Sequence, residues 1–367
     1  MATPAPAHVS TSILRRRWKK FRSLKRGYYS LIILTSVYAL SFLLPLLINN
    51  VPLVIRYNGD YHFPAFAQLV GLSHYHSPQE FGLGSTERAI NYRELDEKFE
   101  ADGGENFIIM PPYPYAPDED FQVPGNGTFM KPFQSGDDGY PRFFGTDDRA
   151  RDVFARMAYG LNVSLSFAIL LATLEYLIGI PIGALSGYFG GKFDLFLQRF
   201  VEVWSTLPVL FIIIIIVSLF GTSFFLLLTL LLLVSWISIG LYVRAEFLRE
   251  RSKDYVAAAV SIGVPTRKII LRHILPNSLV PIITFYPFAV VAGITSLVSL
   301  DFLGFGLPPG TPSWGEMFRL GIETLSQGNW WIIVAPMLAM FFTLTLTVFI
   351  GEGVREAFDP RTYSRLR

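Results

Sequence analysis

"LPVLFIIIIIVSLFGTSFFLLLTLLLLVSWISIGLYV", residues 207–243, decides the fold. A bilayer's hydrocarbon core is ~30 Å thick and takes ~20 apolar residues as helix, so this run is too long for one crossing. Gly221 and Thr222 interrupt it. The pattern predicts a tight hairpin of two spans, Leu207–Phe220 with adjoining residues and Phe224–Val243. Working outward, Tyr28–Ile48, Val163–Leu185, Val280–Leu300 and Trp330–Ile350 are further apolar runs. They bring the expected total to six helices, with both termini on one side. The fold class is then an all-α polytopic membrane protein with a small mixed α/β insert between helices 1 and 2. Composition agrees: 51% of the 367 residues are hydrophobic and 16% are charged, against ~25% charged in soluble domains. There are no cysteines, which removes disulfides and thiolate chemistry.

The basic residues set the orientation. With the N-terminus inside, the inner segments carry 21 of the 31 Lys/Arg. "RRRWKKFRSLKR" (15–26) is the densest group and reads as a solvated or headgroup-binding tail. Its following apolar run is too long for a secretory signal and lacks a small-residue cleavage site, so it is an uncleaved first span. The expected organisation is a basic inner segment 1–27, a first span 28–48 and an outer insert 49–156. A core of five spans follows at 157–350, with an inner loop at 244–279 and an inner C-terminus at 351–367. The net charge of +2 implies no partner by itself, and no nucleic-acid partner is expected.

The insert holds 17 Asp/Glu against 9 Lys/Arg. Around Asn58-Gly59, "LVIRYNGDYHF" (53–63) predicts a hairpin, since this dipeptide fits a two-residue turn. "NYRELDEKFEADGG" (91–104) predicts a short helix capped by Asn91 and ended by Gly103. His74 and His76 lack an evident third ligand and read as surface loop, with no metal site. Asn126 in "NGT" is given no weight as a glycosylation acceptor.

No phosphate cradle is present. The nearest string to G-x-x-x-x-G-K-[ST] is "SGYFGGKF" (186–193), which has Phe193 after the lysine and Ser186 at the first glycine. No catalytic triad order or zinc-protease motif appears either. The chain reads as a transport component, not an enzyme, with any chemistry left to a partner. "DYVAAAVSIGVPTRKIILRHILPN" (254–277) could serve that partner. Asp254–Ile262 is helix-like, Gly263 breaks it, and Pro265 suits the first turn of a second helix. Leu275-Pro276 is expected to end that helix. Small residues at 257–259, 261 and 263 allow close approach, and Arg267, Lys268 and Arg272 ring the contact. This is the build of a docking knob; a surface-lying amphipathic connector is the plainer alternative.

These residues resemble the EAA loop of ABC-importer permease subunits of the oligopeptide and dipeptide permease family. Ala258, Ala259, Gly263, Leu275 and Pro276 fit its pattern, while Ala257 replaces the glutamate and His273 the isoleucine. "FFGTDDRARDVFARMAYGLNVSL" (143–165) is similar to the family's G-T-D-x-x-G-R-D signature, with Ala150 in place of glycine. "GIPIGALSGYFGGKFD" (179–194), "SLDFLGFGLPPGTPSWGE" (299–316) and "GEGVREAFDPR" (351–361) match in order and spacing. The long insert looks most like the branch that imports oligopeptides and microcin C-like peptide-nucleotides.

The resemblance implies a bacterial inner-membrane subunit that works by alternating access. A periplasmic binding protein would deliver peptide, and a second homologous permease would complete the path. ABC ATPase subunits would supply ATP and magnesium; this chain would carry no cofactor. Asp254, Ala258, Ala259, Gly263, Pro265, Arg267, Arg272, Leu275 and Pro276 are the expected ATPase-coupling residues. Glu175 is a candidate path residue or else an interhelical hydrogen-bonding group, because an acid inside a span normally faces an interior or aqueous route. Asp301 and Glu316 could meet the binding protein or a peptide amino terminus, or be solvated loop charges. Glycines 179, 183, 187, 190 and 191 predict close helix packing, with hinging as the alternative. Trp314, Trp330 and Trp331 read as an interfacial belt facing membrane lipid. The rival reading is a self-sufficient secondary transporter or channel. It would need paired inverted repeats or intramembrane ion ligands, and no such repeat is visible.

Overall fold

The structure, a computed structural model, describes residues 13–71, 78–81, 90–119, 128–136 and 139–358. His74, His76 and Asn126 lie outside these. The N-terminal region forms α1 (Ile13–Ser23), α2 (Lys25–Ser41) and a single turn α3 (Leu44–Leu47). The expected span Tyr28–Ile48 is therefore broken at Ser41. Pro45 is the reason: its ring collides with the carbonyl four residues back, that of Ser41, and it has no N–H to give.

The insert follows. β1 (Val54–Tyr57) and β2 (Asp60–His62) pair across Asn58-Gly59, both at positive φ, as a two-residue hairpin requires. After α4 (Pro64–Leu69) comes α5 (Tyr92–Asp102), whose N-terminus is capped by Asn91 and which ends at Gly103 in the left-handed region. β3 (Phe107–Ile109) joins the other edge of β1, giving the order β2-β1-β3. Ile55, Phe81, Leu95, Phe99 and Ile108 form a small core of its own. A second hairpin, β4 (Gln134–Ser135) with β5 (Pro141–Arg142), precedes the bundle.

The bundle contains α6 (Val153–Phe189), α7 (Gly191–Ser205), α8 (Val209–Phe220), α9 (Phe224–Arg251) and α10 (Asp254–Ser261). It continues with α11 (Thr266–Lys268), α12 (Leu275–Ile283), α13 (Tyr286–Phe302), α14 (Trp314–Leu325) and α15 (Trp331–Phe358). Among the described residues, α6, α9 and α15 are long and apolar enough to cross a membrane. Two bent pairs bring the number to five: α7 with α8, bent by 68°, and Thr266–Ile283 with α13, bent by 52°. The hairpin of 207–243 is present, with Gly221 at φ +80° making the α8–α9 turn. The span expected at Val280–Leu300 is split after Ile283, four residues before Pro287, by the same ring–carbonyl conflict that ends α2.

The expectation that Leu275-Pro276 ends the second inner helix is corrected. Thr266 to Ile283 is one helical run, and residues Ile269–Ile274 within it are π-helical. The Leu275 N–H donates to the Ile270 carbonyl, five residues back. That widened turn moves the Arg272 carbonyl out of the way of the Pro276 ring, so the helix continues.

Glycines 179, 183 and 187 run down one face of α6 against α9. A Cβ on any of them would come closer than 3.0 Å to α9 atoms, including the backbone carbonyls of Trp236, Gly240 and Arg244. The contact advances in the same direction along both helices, so they pack parallel. Close packing is thus their role; Gly190 and Gly191 instead take positive φ in the α6–α7 turn. The tryptophan belt is also corrected. Trp314 and Trp331 are buried and donate to the carbonyls of Met157 and Thr146, and of the three only Trp330, 54% exposed, faces outward. Their indole N–H groups have found partners inside the fold, as buried tryptophans require. The basic tail is also more than a solvated segment, since Phe21 of α1 is buried against Gly353 of α15.

Candidate functional site

The 254–277 segment stands at the basic end of the bundle. Its root is Glu250, whose side chain is almost fully enclosed and accepts from Lys253 Nζ (2.5 Å) and Tyr255 Oη (2.8 Å). From there α10 runs to a Schellman turn. The Val264 N–H donates to the Ala259 carbonyl and the Gly263 N–H to the Val260 carbonyl, each at 3.0 Å. Gly263 sits at φ +76° and, among the described residues, nothing lies within 4 Å of where its Cβ would be. The turn requires glycine for its conformation, not for space inside this chain.

The structure sorts the expected coupling residues into two groups. Ala259 and, partly, Leu275 face inward, where Val256, Ile269 and Ile274 pack on Val243 and Phe247. Asp254, Ala258, Gly263, Pro265, Arg267, Arg272 and Pro276 face outward. Sequence reasoning missed two apolar side chains at the tip, Val260 (57% exposed) and Ile262 (80%). Spacing gave no signal for Val260: it lies one turn after the inward-facing Val256, which predicts an inward side chain, and it is exposed at the last turn of α10.

A second constellation braces this end. Asp194 of α7 takes a bidentate pair from Arg244 of α9, with Nε–Oδ1 and Nη2–Oδ2 both 2.6 Å, and also accepts from the Ser186 hydroxyl of α6. Three helices thus meet on one carboxylate, in the planar geometry that arginine offers. Glu175 lies four residues before Gly179, on the same glycine-lined face of α6, and is 9% exposed. Its position is the α6–α9 seam.

At the opposite end, the G-T-D segment ties the insert to the bundle. Gly145, at φ +68°, passes so close to Met130 and Trp331 that a side chain has no room. Ala150 adopts φ +60°, a conformation glycine enters more easily. Thr146 accepts from the Met130 N–H and donates to the Thr128 carbonyl. Asp147 accepts from Arg151 Nε (2.8 Å) and from the backbone N–H groups of Arg149 and Arg151. Asp152 caps α6 through the Ala155 N–H and accepts from Tyr113 Oη (2.7 Å). Burial pushes the Asp152 carboxyl up to about 6 and also raises Asp147, since a carboxylate out of water is disfavoured.

Glu316 belongs to this network. Arg156 Nη2 reaches its Oε2 at 2.5 Å, while Arg156 Nη1 donates to the Pro117 carbonyl. Asp301 is 6% exposed and accepts from the Leu307 N–H at 2.5 Å, closing the loop after α13. Neither carboxylate is a solvated loop charge, and both are engaged inside the chain. Sequence reasoning did not find this junction, because Arg156 and Glu316 are 160 residues apart.

Residues 179–363 match the family model described as binding-protein-dependent transport system inner membrane component. The chain is similar to the inner membrane ABC transporter permease protein YejE of Escherichia coli (strain K12), 40% identical over 94% of this chain and 96% of that one. It is 37% identical to the peptidoglycan transport system permease protein YejE of Agrobacterium fabrum (strain C58 / ATCC 33970), over 95% and 93%. With the oligopeptide transport system permease protein OppC of Haemophilus influenzae, identity is 38% over 61% of this chain and 71% of that protein.

Proposed function

The chain belongs to the binding-protein-dependent transport system inner membrane components, and we propose that it is one permease subunit of an ATP-driven peptide importer. Its parts divide the work as follows. Six spans cross the inner membrane: α2, α6, the bent pair α7–α8, α9, the bent run from Thr266 to Phe302, and α15. Both termini lie in the cytoplasm, and the insert between α2 and α6 lies in the periplasm. A binding protein delivers peptide at the insert end. A second homologous permease closes the path, and ABC ATPase subunits with ATP and magnesium act at the basic end.

The observation that carries this reading is the outward-facing knob. A helix, a glycine turn at positive φ and a second helix present exposed small and basic residues, and among the described residues nothing approaches the open side of Gly263. Exposed Val260 and Ile262 at its tip give an ATPase groove an apolar anchor. Force entering there passes along α9, and the Asp194–Arg244–Ser186 brace hands it to α7 and α6. Glu175, sealed in the α6–α9 seam, serves as a tie between these helices in preference to lining the path. Asp301 and Glu316 hold the insert-end junction in shape for the binding protein. The substrate class is peptide; microcin C-like peptide-nucleotides and cell-wall peptides are the narrower candidates.

The test is an affinity pull-down of the tagged chain from native membranes, wild type beside Gly263→Asp. An ABC ATPase and a second permease are expected with wild type, and the ATPase is expected to be lost with the variant. Absence of any ATPase from the wild-type preparation in mild detergent would overturn the reading. Uptake of labelled oligopeptide, peptide-nucleotide and muropeptide in the same strain separates the substrates.

A further inference from the structure

At the basic end, α1, α9, α10, α12 and α15 line an open cavity of about 820 Å³. Four cations from three helices and a corner reach it: Arg17, Arg249, Lys253 and Arg355. Two of them are already neutralised. Arg249 Nη2 lies 2.5 Å from Glu246 Oε2, and Lys253 Nζ lies 2.5 Å from Glu250 Oε1. Arg17 lies over the Phe358 ring at 4.9 Å, and among the described residues neither it nor Arg355 has a carboxylate within ion-pair distance. The wall therefore carries two uncompensated positive charges. Below them the lining turns apolar, with Val280 and Pro281 beside Tyr242 and Phe285, whose rings meet edge to face at 4.6 Å. The cavity lies where the apolar sequences of α9 and α15 give way to charge, which is the depth of a membrane's headgroups.

We propose that this cavity binds a phosphate-bearing anion. A phospholipid headgroup and a free phosphate share this chemistry; the apolar floor fits the former, and basic pockets between spans at the inner surface suit such lipids. Tyr255 of α10 and Asn277 of α12 form part of the wall and are linked to each other at 3.4 Å. Occupancy thus fixes the root of the knob, and the bound anion sets how firmly the coupling segment is held. The inference goes beyond peptide import, since binding is read without transport.

The test uses the complex as it purifies, in nanodiscs of neutral phosphatidylcholine, analysed by native mass spectrometry. Phosphatidylglycerol is added in one arm and inorganic phosphate in the other. Wild type is compared with Arg17→Gln/Arg355→Gln and with a control, Arg15→Gln/Arg26→Gln, that removes equal charge outside the cavity. Phosphatidylglycerol is expected to stay bound to wild type and control, and to weaken about 30-fold in the cavity variant, the effect of two basic contacts. Retention of inorganic phosphate with no lipid bound, lost in the same variant, supports the anion site and assigns it to free phosphate. Equal loss in the control, or no retention in either arm, overturns the site. Neither result touches the ATPase pull-down, so the two readings fail separately.

Discussion

Gly183 and Gly263 are both indispensable glycines, for opposite reasons. Gly183 sits in a regular helix, and its missing side chain is filled by the Gly240 carbonyl and by Val243. Gly263 sits in open space, and what it supplies is a positive φ. The first region is finished by the chain itself. The second is shaped by the chain and left for something else to fill. A glycine thus reports different things depending on whether its surroundings are full or empty.

Substitutions test that contrast directly. Gly183→Ala forces α6 away from α9 and should cost about 3 kcal/mol, the upper end for overpacking against backbone. Thermal unfolding in detergent should show a strongly lowered midpoint; an unchanged midpoint would break the seam model. Asp194→Ala should cost about 1 kcal/mol, because this partly exposed pair is screened by solvent. Its clearer mark should be on function: ATP hydrolysis retained by the complex while peptide uptake falls. Equal loss of both would show that the brace merely holds the fold. Gly263→Ala should lower stability by about 1 kcal/mol through left-handed strain alone. Gly263→Asp should insert and fold like Gly263→Ala yet lose the ATPase, and parallel loss of folded protein would erase the distinction between the two glycines.

The smallest expected effect concerns pH. Burial raises the Asp152 carboxyl from its ordinary 3.8 to about 6, so the folded chain keeps a proton there that the unfolded chain has released. That stabilisation is complete below about pH 4 and is lost as pH rises through 6. Between those values wild type should lose midpoint temperature relative to Asp152→Asn. A flat difference would mean that Tyr113 and Arg142 hold the carboxylate charged.

Much of the fold was legible where local chemistry is unconditional. Gly221 marked the hairpin, Asn58-Gly59 the β-turn, and Asn91 and Gly103 the two ends of α5, because turn and cap residues act on their own neighbours. Prolines were less legible. Pro45 and Pro287 end helices, whereas Pro181, Pro276 and Pro336 sit within continuous ones. Packed neighbours and a π turn can accommodate the lost hydrogen bond, and no sequence window contains those neighbours. The insert-end junction was illegible for a related reason. Arg151, Arg156 and Glu316 look like ordinary surface charges until the fold brings them together. The knob lay between these cases: its turn could be read, but the inward half of its residues needed Val243 and Phe247 to be in place.

The π-helical stretch Ile269–Ile274 has a mechanical meaning. A π turn stores one residue more than the α-helical path needs, like slack taken up in a spring. If that residue is released into ordinary α-helix, everything before it swings by ~100° about the axis and shifts by ~1.5 Å. The direction in which α10 points is therefore set by a local winding number. Deleting Leu271, which is half exposed and outside both groups, would keep every expected coupling residue and aim the knob at a different part of its surroundings.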